Sequence, residues 1–130
     1  MIGLDTNVLV RYLTHDDPAQ TAAAKKFIDS LSVDSPGFLS LIVIAELVWV
    51  LAISYRYHKK EIEQVLEGLL RSRELVIERA EIVSQALRLF SGGRAEFADC
   101  LIERCGHASE CKHTVTFDRN AGAAGMQLLR

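Results

Sequence analysis

Four carboxylates sit where predicted elements begin or end: Asp5 in "MIGLDTNVLVRYL", Glu46 in "LSLIVIAELVWVLAISY", Asp99 in "AEFADCLIERC" and Asp118 in "HTVTFD". Asp5 and Asp118 each close a short apolar run that reads as a strand, and the carboxyl edge of a parallel sheet is where α/β proteins bind ligands. Taken singly, each also suits an ordinary helix cap. Glu46 is different: its helical neighbours at three and four residues either way are Ile42, Val43, Trp49 and Val50, so nothing on its own helix compensates it. An unpaired carboxylate buried in such a helix costs several kcal/mol by common estimates, on the order of 3–5, and the expectation is a partner or metal from elsewhere in the fold. Asp99 falls in the first turns of a helix, where the dipole favours an acid whatever its function, with Glu103 one turn further on the same side.

Together the acids say more than they do apart. Two like charges about 4 Å apart repel by about 4 kcal/mol at an effective dielectric near 20. A cluster of three or four therefore needs protons or divalent cations, and the implied ion is Mg²⁺ or Mn²⁺. Such hard ions take oxygen ligands, and Mg²⁺ combines one or two carboxylates with waters and substrate phosphate oxygens. A donor set of this kind suits metal-assisted chemistry at a phosphate group.

The elements that must bring these residues together follow from patterning. Ile2 to Asp5 reads as a short buried strand, with a helix from Thr6 to Leu13 directly after it. In "HDDPAQTAAAKKFIDSL", Asp17 can cap a helix whose first position is Pro18 and whose apolar face is Ala22, Ala23, Phe27 and Leu31. Pro36-Gly37 breaks the chain, Phe38-Leu39 forms a very short strand, and a buried helix runs from about Ser40 to Tyr55. His58 to Ser72 is an amphipathic helix on Ile62, Val65, Leu66, Leu69 and Leu70, with Lys59, Lys60, Glu61, Glu63 and Glu67 as its solvated face. Then come a strand at Glu74–Ile77, a helix at Ala80–Phe90, a loop at Ser91-Gly92-Gly93, a helix at about Ala95–Ala108, and a strand in "HTVTFD". Alternating strands and helices predict an α/β sandwich with short parallel strands.

A chain of 130 residues that is 49% hydrophobic and 25% charged suits one domain with a genuine core, residues 1–130. Its net charge of -2 supplies no overall basic footprint, so nucleic acid would be bound by a local patch or through cations. The three cysteines, Cys100, Cys105 and Cys111, are odd in number and crowded into the last third, which fits a reducing cytoplasm better than a disulfide scaffold. The first strand begins within a residue or two of Met1, with no leader ahead of it. Leu39 to Ile53 is interrupted by Glu46 and falls short of the roughly 20 residues of a membrane span.

Four segments in order carry a family resemblance: "LDTNVLVRYL", then Ser40, Val43 and "EL" at 46-47, then "FADCLI" at 97–102 and "TFDRN" at 116–120. They resemble the four motifs of PIN-domain nucleases, in the spacing of the bacterial VapC toxins of type II toxin-antitoxin systems. The resemblance implies a PIN-like three-layer α/β/α sandwich with a short parallel central sheet. It also implies a metal-dependent endoribonuclease with the acidic quartet Asp5, Glu46, Asp99 and Asp118. The implied partners are an RNA substrate, a VapB-like antitoxin that holds the toxin inactive, and a second copy of the chain. Cys100 stands where such chains often carry a small Ala.

On that basis Asp5 and Asp99 would hold the principal Mg²⁺, with Glu46 and Asp118 completing the pocket directly or through water. Thr6 and Asn7 would orient Asp5, and Thr116 would do the same for Asp118, although ordinary capping explains them about as well. Arg11, Arg94, Lys112 and Arg119 lie beside the acids and are the candidate phosphate contacts.

Competing readings are weaker. Cys105, His107, Cys111 and His113 form C-x-H-x₃-C-x-H, a spacing unlike ordinary zinc pairs. A metal-dependent phosphatase of the haloacid dehalogenase type needs a second Asp two residues after the first, where Asn7 stands, and a receiver domain needs an acidic pair and a later Lys that are not evident. A non-catalytic PIN-like interaction module, using Trp49, Tyr55, Tyr57 and the helix from His58, remains the alternative from a different class.

Overall fold

The structure is a computed structural model that describes residues 1–130. The chain divides into two compact units, Met1–Glu78 and Arg79–Arg130.

The first unit holds β1 (Ile2–Gly3), α1 (Thr6–Thr14), α2 (Pro18–Asp29), β2 (Gly37–Leu39), α3 (Leu41–Ile53), α4 (Lys59–Arg71) and β3 (Leu75–Ile77). Its strands form one parallel sheet in the order β1-β2-β3, with Ile2 opposite Gly37 and Gly37 opposite Leu75. The two helices between each pair of strands form the crossover that parallel pairing demands. Beyond the strand ends the ladder continues, as Leu4 N–H donates to Phe38 at 3.0 Å and Glu78 N–H to Leu39 at 2.9 Å. β2 begins on a glycine for a steric reason: a Cβ at Gly37 would lie 2.7 Å from Leu4 Cδ1 and 3.1 Å from Leu75 Cδ2. The core closes there with Leu39, Ile44, Leu47 and Leu51, all fully buried.

Helix starts follow the predicted chemistry. Asp17 accepts from the Gln20 N–H at 3.1 Å with Pro18 in the first position of α2, and Ser40 accepts from the Val43 N–H at 3.2 Å at the head of α3. Glu78 adds a second acceptor there, taking the Leu41 N–H at 2.9 Å. In α4, Ile62 and Leu66 are buried and the charged residues face outward, as amphipathic spacing requires.

The expectation that α3 is buried all round does not hold. Ile44, Leu47, Val48 and Leu51 are buried, but Ile42, Trp49 and Ile53 are 78%, 61% and 61% exposed. With no polar face to orient it, composition could not say which side of this helix meets the core; packing on α1 and α4 decides.

The second unit holds α5 (Ala80–Gly92), α6 (Phe97–Ala108), β4 (Val115–Thr116), α7 (Arg119–Gly122) and β5 (Gln127–Leu128). α5 packs on α6 through Val83, Ala86, Phe97 and Cys100, with Phe90 and Phe97 edge to face at 5.9 Å between ring centres. Of the residues expected to open a loop after Phe90, only Gly93 does so, since α5 continues two residues further to Gly92. α7 and β5 were not foreseen: β5 pairs in parallel with β4, Val115 opposite Gln127, after a turn that Gly125 makes at φ +101°. The α/β class with a short parallel sheet is as expected from the sequence.

Candidate active site

Each unit contributes one pair of the predicted acids. In the first, Asp5 is the N-cap of α1, where its carboxylate accepts from the Thr6 N–H at 2.7 Å. It opens onto a cleft of about 470 Å³ lined by Asp5, Thr6, Asn7, Arg11, Glu46 and Tyr55 among others. The α3 wall of that cleft is Glu46, Val50 and Ser54, one helical face at successive four-residue steps. Glu46 is thus brought to Asp5, but not for the reason expected. Its carboxylate is exposed, because Ile42 and Trp49 on either side of it are themselves exposed. The burial penalty that argued for a compensating partner is therefore absent in this chain.

Thr6 and Asn7 both line the cleft beside Asp5. The Thr6 side chain is buried, and its Oγ1 has no hydrogen-bond partner. A buried hydroxyl in that state is rare and costly, and this one belongs to a residue in the wall of a cleft with two carboxylates.

In the second unit Asp99 lies in the first turn of α6 and is half-buried. Burial raises its carboxyl above the usual carboxylate range, the negative charge of Asp118 raises it further, and a backbone hydrogen bond at Glu96 opposes both. Asp118 is the N-cap of α7, taking the Asn120 N–H at 2.8 Å, while its own N–H donates to Thr116 Oγ1 at 3.0 Å. Thr116 therefore fixes the backbone of Asp118, not its carboxylate. Glu103, the acid that helical spacing placed near Asp99, is engaged by Arg104 Nε at 2.6 Å and rests against Gly125.

The four candidate phosphate contacts divide. Arg11 lines the cleft of Asp5 and Glu46. Arg94, Lys112 and Arg119 are exposed on the second unit and form no ion pair. Sequence reading missed the groups around Arg11: its Nε donates to Gln20 at 2.6 Å and its Nη1 to Asp16 at 2.9 Å and Tyr55 Oη at 3.4 Å. Asp16 carried a helix-start signal, and nothing in the sequence linked Tyr55 to it.

No group of three or more His, Cys, Asp or Glu side chains is placed to hold a metal ion. This disposes of a zinc module on Cys105, His107, Cys111 and His113, whose residues are strung along the end of α6 and the loop after it.

The sequence matches the PIN domain profile over residues 2–125, a span that takes in both units. A curated relative, the VapC ribonuclease of Aquifex aeolicus (strain VF5), is 27% identical over 125 residues, covering 95% of this chain and 92% of that one. Among solved structures, FitAcB from Neisseria gonorrhoeae is 24% identical over 100% of this chain and 97% of that chain, with a TM-score of 0.37.

Proposed function

This chain belongs to the PIN domain family, and from that premise we propose that it is a metal-dependent endoribonuclease, the toxin of a toxin-antitoxin pair. The observation that carries the reading is the placement of all four acids at helix starts or cleft walls, as two pairs: Asp5 with Glu46, and Asp99 with Asp118.

The donor chemistry fits Mg²⁺ or Mn²⁺. All four side chains offer carboxylate oxygens, Thr6 adds an unpartnered buried hydroxyl, and the mutual repulsion of Asp99 and Asp118 is the kind a divalent cation relieves. The carboxylates of Asp5, Glu46, Asp99 and Asp118 would supply the ligands. When bound, the ion supplies Lewis-acid polarisation of a phosphodiester and a bound water of lowered pKa.

The chain's own residues do the rest. The N-cap bond from Thr6 N–H occupies one oxygen of Asp5 and leaves the other free to face the cleft. The Asn120 N–H likewise ties one oxygen of Asp118, holding the carboxylate at the head of α7. Arg11 offers positive charge to the substrate backbone on the first unit, and Arg94, Lys112 and Arg119 offer it on the second.

The remaining partners follow from the same reading. The exposed stripe of Ile42, Trp49 and Ile53 supports a homodimer, because apolar side chains of that size left in water favour association. A VapB-like antitoxin is the expected inhibitor, and the cytoplasm, where RNA and antitoxin are found, the expected compartment. No helix is long and apolar enough to cross a membrane.

The test is cleavage of RNA by the purified protein. The native chain should cut RNA with Mg²⁺ or Mn²⁺ and stop on chelation, and Asp5→Asn and Asp99→Asn should each abolish cutting and growth inhibition while remaining folded. Undiminished cleavage by either variant would overturn the assignment, and absence of cleavage by the native chain would favour a non-catalytic interaction module.

A further inference from the structure

Arg11 stands in the wall of a cleft that also contains Asp5 and Glu46, yet none of its hydrogen bonds goes to either acid. An arginine free to choose in such a cleft would pair with the carboxylates and cancel them. Here it is held away. Nε is taken by Gln20 of α2, and Nη1 by Asp16 in the turn between α1 and α2 and by Tyr55 after α3. The ring is closed because Tyr55 Oη donates to Asp16 Oδ2 at 2.6 Å, and Thr14 Oγ1 donates to Asp16 Oδ1 at 3.2 Å.

A guanidinium carries five N–H groups in a rigid fork. Three are used by these contacts, and the two on Nη2 have no protein partner, in a side chain that is 32% exposed. Solvent-accessible ion pairs contribute little to stability, so three hydrogen bonds from a partly exposed arginine are better explained by orientation than by holding the fold. The hydrogen bond from Tyr55, more than any other influence, draws Asp16 below the usual carboxylate range; burial is the next largest influence and opposes it, and Thr14 and Arg11 add to the lowering. Asp16 is thus ionised wherever activity would be measured.

We propose that Arg11 is a phosphate-binding residue of the Asp5–Glu46 cleft, its free Nη2 aimed at a backbone phosphate of the RNA strand, and that Asp16 and Tyr55 are positioning residues that keep it off the acids. This rests on the nuclease reading and deepens it. Gln20 fixes the remaining rotation of the fork.

The experiment uses the full chain and a short single-stranded oligoribonucleotide. Cleavage kinetics are measured on Arg11→Gln, Arg11→Lys, Tyr55→Phe and Asp16→Asn; binding and its salt dependence are measured on the same changes in an Asp99→Asn background with Mg²⁺. Loss of one phosphate contact should reduce the slope of log affinity against log salt by about 0.7 for a single strand. Arg11→Gln should show that reduction with KM raised roughly tenfold. Arg11→Lys should restore the slope but not KM, since a point charge cannot reproduce the fork. Tyr55→Phe and Asp16→Asn should leave the slope in place and raise KM several-fold, with a smaller change in kcat. A role confined to stability would move neither slope nor KM in variants that melt like the native protein. If the native chain cuts RNA while Arg11→Gln and Tyr55→Phe keep native slope and KM, the proposal is overturned and the nuclease reading stands. A native chain that neither binds nor cuts RNA overturns both. Should Arg11→Gln fail to fold, the conservative pair Arg11→Lys and Tyr55→Phe decides the matter by the same KM criterion.

Discussion

Asp99, at the start of α6, is kept above the usual carboxylate range by its burial and by the negative charge of Asp118 at the start of α7. The sign of the consequence is fixed. A carboxyl whose pKa is higher in the folded state than in the unfolded chain favours folding when protonated, so its contribution is complete below 3.8 and is lost as pH rises through the raised value. Above that window the repulsion persists unless something neutralises it.

Asp118→Asn should therefore be slightly more stable than the native chain at neutral pH in chelator, by on the order of 1–3 °C in Tm. Asn caps a helix as well as Asp does, so α7 is not penalised. Thermal melts across pH check this, and the advantage should shrink as the pH falls below the titration of Asp99.

Divalent cations should reverse the order. An ion that binds only the folded chain stabilises it by about 1.4 kcal/mol at ten times its Kd, some 4–6 °C for a domain of this size. Melts with added Mn²⁺ should show that increase in the native chain and little or none in Asp99→Asn or Asp5→Asn.

The exposed stripe on α3 makes a prediction about assembly. Trp49 is 61% exposed, so replacing it with Glu should leave the fold intact while placing a charge in the apolar face it shares with Ile42 and Ile53. Light scattering on a sizing column should find a dimer for the native chain and a monomer for Trp49→Glu.

Gly37 tests the packing of the sheet that carries Asp5. A methyl group there meets Leu4, Leu31 and Leu75 at 2.7, 3.0 and 3.1 Å, and Gly37→Ala should cost about 1–3 kcal/mol in urea denaturation. Gly3→Ala, with no atom within 4 Å of the added carbon, should change stability by about 0.5 kcal/mol or less.

The parts of this fold legible in the sequence were those with local causes. Asp17-Pro18 starts α2, Pro36 stands directly before β2, and the spacing of Ile62 and Leu66 sets the buried side of α4. Asp5 and Asp118 lie at element ends because an apolar run stops there, and both turn out to be helix caps. What was not legible depends on partners distant in the chain. Glu46 reaches the Asp5 cleft from an exposed face because α3 packs its other side inward, a choice its apolar sequence does not encode. Tyr55 meets Asp16 across 39 residues, and only tertiary structure joins them. β5 was missed because Gln127-Leu128 is too short for any period and exists by pairing with β4.

The account turns on these acids binding a divalent cation, and calorimetric titration of Mn²⁺ into the full chain tests that most directly. It expects Asp5→Asn and Asp99→Asn each to weaken binding by roughly tenfold or more. Native affinity in both variants would contradict it.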